Sequence, residues 1–155
     1  MKSYATATAF RRALEDRLNA AAKAQGTDLQ RIRTQVAFDR LLVRLFAPGN
    51  PQWRLKGGYA LELKLELARA TRDLDIGMPA GGLAGEALLE ILQTAGAADA
   101  GDYFRYVIGE AVMDLEGAPY GGSRHPVEAR LDVRSVVRSV VRSVGETVAE
   151  VTNIA

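Results

Sequence analysis

A glycine pair and two spaced aspartates constrain this chain more than anything else in it. Within Trp53 to Gly77, reading WRLKGGYALELKLELARATRDLDIG, stand Gly57-Gly58 and then Asp73 and Asp75. A glycine turn that opens a helix leaves backbone N–H groups free to receive anionic oxygens. Two carboxylates at i and i+2 on a strand project from one face. The chain must therefore set a turn and a strand side by side, and the segment between them has to be compatible with that. Leu61, Leu63, Leu65 and Leu67 alternate with charged residues, which is strand periodicity. Leu, Glu, Lys and Ala are helix formers, however, and no β-branched residue occurs from 59 to 70. The spacing is read as a helix between a short strand at 53–56 and a strand at 72–76.

The remaining pattern supplies a scaffold. Residues 6–25 predict a helix with Phe10, Leu14, Leu18, Ala21 and Ala22 on one face, stopped by Gly26. Thr27 with Gln30 has the form of a capping box for a second helix, whose broad apolar face runs from Leu29 to Phe46. Leu83 to Thr94 predicts a further helix, stopped near Gly96, and Tyr103 to Ile108 a strand. Gly81-Gly82 and the stretch 117–122 predict turns, and Val127 to Val133 alternates as a strand. From residue 133 the chain reads VRSV three times, and its valines fit a helical stripe. The expected fold class is α+β, an N-terminal helical hairpin packed on a small mixed β-sheet.

Composition narrows the chemistry. The 155 residues suit one domain that buries roughly two-thirds of its unfolded surface. A net charge of +1 gives no global basic field. The absence of cysteine excludes disulfides and thiolate chemistry, and the single histidine, His125, excludes a multi-histidine metal site. His125 is read as a surface or loop residue. Tyr103, Phe104 and Tyr106 are read as core rather than as stacking platforms for a base. No apolar run approaches the ~18 residues of a membrane span, and no signal-peptide pattern opens the chain, so a cytoplasmic protein is expected.

Lys56, Gly57, Gly58, Ala60, Leu61, Arg69, Thr71, Asp73 and Asp75 together resemble the first motif of the AbiEii/AbiGii-type toxin nucleotidyltransferases, within the DNA polymerase β-like nucleotidyltransferase superfamily. The leading helices and YGGSRHPVEARL are similar to that family as well. The resemblance implies a nucleotidyltransferase-like domain over 1–133, with a helical hairpin at 6–46 and a catalytic-type core at 53–133, followed by a low-complexity tail at 134–155. It implies Mg²⁺-dependent transfer of a nucleotide from an NTP to an acceptor, RNA or tRNA in some members, by the toxin of a toxin–antitoxin or abortive-infection system. A separately encoded antitoxin would be the partner, with no membrane involved.

On this reading Asp73 and Asp75 bind two metal ions, with Asp132 as third carboxylate and Glu128 as its alternative. Lys56, Gly57, Gly58, Thr71 and Arg72 hold the nucleotide. The family's members are close to twice this length, which makes the chain a C-terminally shortened relative. EARL runs directly into Asp132-Val133, as though the expected hairpin partner strand were deleted. The competing reading is therefore a catalytically inactive relative that only binds NTP or another protein.

Overall fold

Two antiparallel helices open the computed structural model, which describes residues 4–50, 52–65, 71–79, 83–114, 122–132 and 134–146. Helix α1 spans Ala7–Gln25 and is capped by Thr6, whose hydroxyl accepts from the Ala9 amide at 3.2 Å. It ends at Gly26, whose φ of 60° is the left-handed conformation that terminates a helix without Cβ strain. Helix α2 spans Leu29–Leu45. Its cap is Asp28, which accepts from the Arg31 amide, not the Thr27–Gln30 box read from the sequence. A carboxylate one residue later serves the same exposed amides. Leu18, Ala22 and Ile32 join the two helices, flanked by the Arg33–Glu15 ion pair.

The other elements are β1 (Arg54–Lys56), α3 (Gly57–Leu65), β2 (Asp73–Pro79), α4 (Gly85–Ala97), β3 (Phe104–Ile108), β4 (Met113–Asp114), β5 (Gly122–Leu131) and β6 (Arg134–Glu146). The alternating leucines of α3 thus lie on a helix, as composition indicated. The strands form one mixed sheet in the order β1-β2-β6-β5-β3, with β4 pairing β5. Among the described residues, β2 and β6 run parallel and the other pairs are antiparallel. The fold is α+β, with the helical hairpin packed on the sheet. Arg69, the Gly81-Gly82 turn, most of the 117–122 stretch and Val133 lie outside the described residues.

The VRSV repeat is where sequence and structure part. Residues 134–146 are not a helix but a strand, hydrogen-bonded to β5 on one side and β2 on the other. A four-residue repeat is an even number of pleats, so it holds its phase along a strand, whereas along a helix it drifts. Val137 is buried and Arg138 is exposed, as that alternation requires. Valine's branched Cβ suits the pleated surface, and two flanking strands decide the outcome. The hairpin partner of β5 is therefore present, and β6 supplies it.

One sheet face holds the core. Leu74, Ile76, Tyr106, Ile108, Val127, Ala129, Leu131 and Val137 pack there with Phe38, Leu41 and Leu45 of α2 and Leu88 and Leu92 of α4. Gly96 lets α4 approach closely: a Cβ there would stand 3.2 Å from Tyr106 and Ile108 side chains. The opposite face carries the polar residues of each strand, including Asp73, Asp75, Arg105, Arg124, Glu128 and Arg138.

Candidate nucleotide site

Strand β1 ends directly in the glycine pair, so Lys56 is its last residue and Gly57 the first of α3. Gly57 has φ +64°, a conformation that would strain any other residue. A Cβ there would also collide with Oδ2 of Asp75. A Cβ on Gly58 would stand 2.8 Å from the Thr71 hydroxyl oxygen. Gly57 is therefore demanded by β2 beside it, and Gly58 by Thr71 just before that strand. The Asp75 carboxylate is seated on the opening turn of α3, where backbone amides converge.

Asp73 and Asp75 are half-buried, and Leu74 and Ile76 between and beyond them are fully buried. That alternation sets both acids on the face away from the core, about 6.6 Å apart along the strand. Register aligns Lys56 with Asp75 across β1 and β2. Six of the residues expected at the site, Lys56, Gly57, Gly58, Thr71, Asp73 and Asp75, are thus brought into one neighbourhood. Arg72 immediately precedes β2 and is exposed.

Asp132 is not among them. It lies in the connection between β5 and β6 with φ +62°, not on a strand facing the pair. Its Oδ2 accepts a hydrogen bond from the Thr8 hydroxyl of α1 at 2.9 Å. It lines a cavity of about 530 Å³ with Tyr103, Phe104 and Arg105. Leu131 pairs with Arg134, whereas Asp73 pairs with Val140, so roughly 20 Å of β6 separates Asp132 from the aspartate pair. Alternation made Asp132 look like a strand residue, but aspartate tolerates the left-handed conformation and the turn takes it. Glu128 does lie on the polar face, where it accepts from Arg130 at 2.8 Å and pairs with Arg138 at 3.7 Å.

Among the described residues, no group of three or more acidic or histidine side chains gathers as a metal site. Two carboxylates nevertheless suit one Mg²⁺, which keeps waters and takes phosphate oxygens for its remaining positions.

Sequence reasoning missed the polar clusters around His125 and Tyr59. His125 is 2% exposed, on the core face of β5, rather than a surface residue. Its Nδ1 donates to the Gly109 carbonyl at 3.0 Å, and Nε2 lies 2.9 Å from the Ser123 hydroxyl. Tyr59 of α3 donates to Asp39 of α2 at 2.6 Å, and Glu62 accepts from Arg31 and Gln35. These contacts fix α3, and so the glycine turn, to the hairpin. Burial, followed by the bond to Asp39, pushes the Tyr59 hydroxyl well above the usual tyrosine range and keeps it a donor. No local pattern announces such pairs, because their members are 16 or more residues apart or sit on one strand by chance of phase.

No described helix is long and apolar enough to cross a membrane. No curated protein matches the chain. The family model described as nucleotidyl transferase AbiEii toxin, type IV toxin–antitoxin system, matches residues 40–148, which take in the glycine turn, the aspartate pair and strand β6. With that match covering more than two-thirds of its length, the chain belongs to the AbiEii nucleotidyl transferase toxin family.

Proposed function

We propose that the glycine turn and the aspartate pair bind a nucleoside triphosphate with Mg²⁺, and that the chain transfers a nucleotide from it to an acceptor as the toxin of a toxin–antitoxin pair. The observation that carries this reading is the seating of Asp75 on Gly57, where a side chain at 57 would be excluded by the carboxylate. An acid held against a helix N-terminus needs a cation between itself and a bound phosphate, or the two negative groups repel. A magnesium ion bound by Asp73 and Asp75 would supply that charge and would polarise oxygens at the phosphate.

The chain's own residues do the rest. Amides at Gly57 and Gly58 receive triphosphate oxygens, with no Cβ between ligand and backbone. Lys56 and Arg72 add positive charge, and Thr71 packs against Gly58 and holds the turn in place. An RNA, tRNA included, is the acceptor in this reading, and a separately encoded antitoxin is the partner. Labelled NTP binding with and without Mg²⁺, followed by transfer of label to bulk tRNA, tests it. Mg²⁺-dependent binding and labelling, both lost in Asp73→Asn and Asp75→Asn, is the expected result. Binding without labelling leaves the inactive relative as the correct reading. Absence of Mg²⁺-dependent binding removes the nucleotide site altogether.

A further inference from the structure

The polar face of the sheet is unevenly charged, and the imbalance lies to one side of the aspartate pair. Arg105 of β3 stands directly opposite Arg130 of β5. Like charges at opposed positions, with Cβ atoms about 5 Å apart, weaken a strand pair. Glu128, two residues from Arg130 on the same face, accepts from it at 2.8 Å. The same glutamate is in register with Arg138 of β6 and pairs with it at 3.7 Å. Arg105 is exposed and makes no ion pair among the described residues. Three arginines thus share one glutamate, and the Arg138 side chain remains 81% exposed beside it.

Register places these arginines relative to the aspartates. Asp73 is aligned with position 140 of β6, two residues beyond Arg138. Arg138 is therefore roughly 8 Å from Asp73 by backbone spacing, one strand across and two residues along. Arg130 is roughly 16 Å away and Arg105 roughly 20 Å, each further along the same diagonal. The line of arginines meets the pair at Asp73. Asp75, on the far side, is the one seated against the glycine turn. One aspartate borders the turn that would take the triphosphate, and the other borders the arginines.

We propose that Arg105, Arg130 and Arg138 hold the phosphates of a single-stranded RNA and lead its terminal hydroxyl to Asp73. The inference rests on the nucleotide-binding reading above and adds where the acceptor lies. A polynucleotide strand repeats a charge at every residue, so it meets cations set at intervals along a line; the acids of a folded protein surface have no such repeat. Guanidiniums match phosphate oxygens with paired donors and keep their charge. At the rise of a stacked strand, about 3.4 Å per nucleotide, the line spans about six nucleotides. Contacts to phosphates carry no base information, so this part of the binding is indifferent to sequence. Glu128 orients Arg130 and Arg138 on the face and competes with the strand for them.

The test is binding of fluorescein-labelled single-stranded RNA to the full chain across a salt series, with Mg²⁺–NTP binding of the parent measured separately. Three phosphate contacts give a slope of log affinity against log salt of about −2 for a single strand. Arg105→Gln, Arg130→Gln and Arg138→Gln are each expected to flatten that slope by about 0.7. Arg12→Gln, at an exposed arginine of α1, is expected to leave it unchanged. Glu128→Gln releases Arg130 and Arg138 and is expected to tighten RNA binding severalfold. Affinity is expected to climb with oligonucleotide length to about six nucleotides and then level off. A parent chain that binds no RNA, or a slope that the three substitutions leave unchanged, overturns the proposal while NTP binding stands. So does polyglutamate that binds as tightly as RNA through the same arginines, which makes the face a protein-docking surface. If the parent binds RNA through these arginines but does not bind Mg²⁺–NTP, the nucleotide reading fails and the role given to Asp73 falls with it.

Discussion

Two aspartates of this chain meet basic residues in opposite ways. Asp102 is buried and closed. Arg44 donates to its two carboxylate oxygens at 2.6 and 3.0 Å, and the Phe104 amide donates at 3.0 Å. The same guanidinium also donates to the carbonyls of Ala98, Arg40 and Phe104 and lies 5.2 Å from the Tyr106 ring centre. Arg44 is 2% exposed and Asp102 7% exposed. Asp75 is half-buried, on the sheet face away from the core, pressed on a helix opening and aligned with basic residues on both sides. The first arrangement engages both carboxylate oxygens internally and locks α2 to the loop before β3. The second concentrates charge where a ligand can reach it. Acid–base proximity alone therefore does not mark a site; the two aspartates differ in how deeply they are buried and in which backbone they stand against.

Breaking one partner of each arrangement separates them. Asp102→Ala leaves a buried guanidinium uncompensated and is expected to cost about 3–5 kcal/mol of stability, read from urea unfolding. The double change Arg44→Met with Asp102→Leu removes both charges and is expected to recover most of that loss. If the double variant is no better than the single one, the pair's role is not electrostatic closure. Asp75→Asn sharpens the contrast from the other side. It is expected to reduce nucleotide transfer at least 10²-fold, as loss of a charge-bearing site group does, while unfolding stays within about 1 kcal/mol of the parent.

Gly57→Ala lies between these extremes. The left-handed backbone alone costs an alanine about 1–2 kcal/mol, and displacement of the Asp75 carboxylate should abolish Mg²⁺-dependent NTP binding in a filter assay. Acid dependence gives a smaller, graded effect. Burial raises the Asp102 carboxyl, but the hydrogen bonds from Arg44 and Phe104 and the charges of Arg44 and Arg40 outweigh it, and the net direction is downward. A carboxyl lowered by folding stabilises the native state above its unfolded value of about 3.9, and the contribution is lost as pH falls through the lowered folded value. Urea midpoints should therefore drop below about pH 4 in the parent, and that part of the drop should be missing in the double variant. Smallest of all, Glu15→Gln opens the partly exposed pair with Arg33 and should change stability by less than about 1 kcal/mol.

What the sequence disclosed follows the range of the interactions. The hairpin helices, β1, β2 and the glycine turn are short-range features with strong periodicity or obligatory backbone chemistry, and each was legible. So was α3, because helix-forming composition outweighed an alternation that happened to mimic a strand. Asp132 was read as a strand residue because one residue of phase separates a strand from the turn that ends it. The Arg44–Asp102 closure was illegible because its members are 58 residues apart. The strand β6 was hidden for a further reason: the valine spacing alone satisfied a helix equally well.

The repetitive make-up of β6 has its own consequence. Sliding that strand by four residues against β2 and β5 would return the same residue types to the same faces, with position 138 replacing 142 beside Asp75. Hydrophobic patterning, which ordinarily forbids misalignment, is blind to such a move. Alignment then depends on how tightly the neighbouring hairpin connection is drawn, with Asp132 tethered to Thr8 acting as a peg at its base. A gene that gains or loses one VRSV unit would lengthen or shorten that connection while the sheet's lettering stays the same.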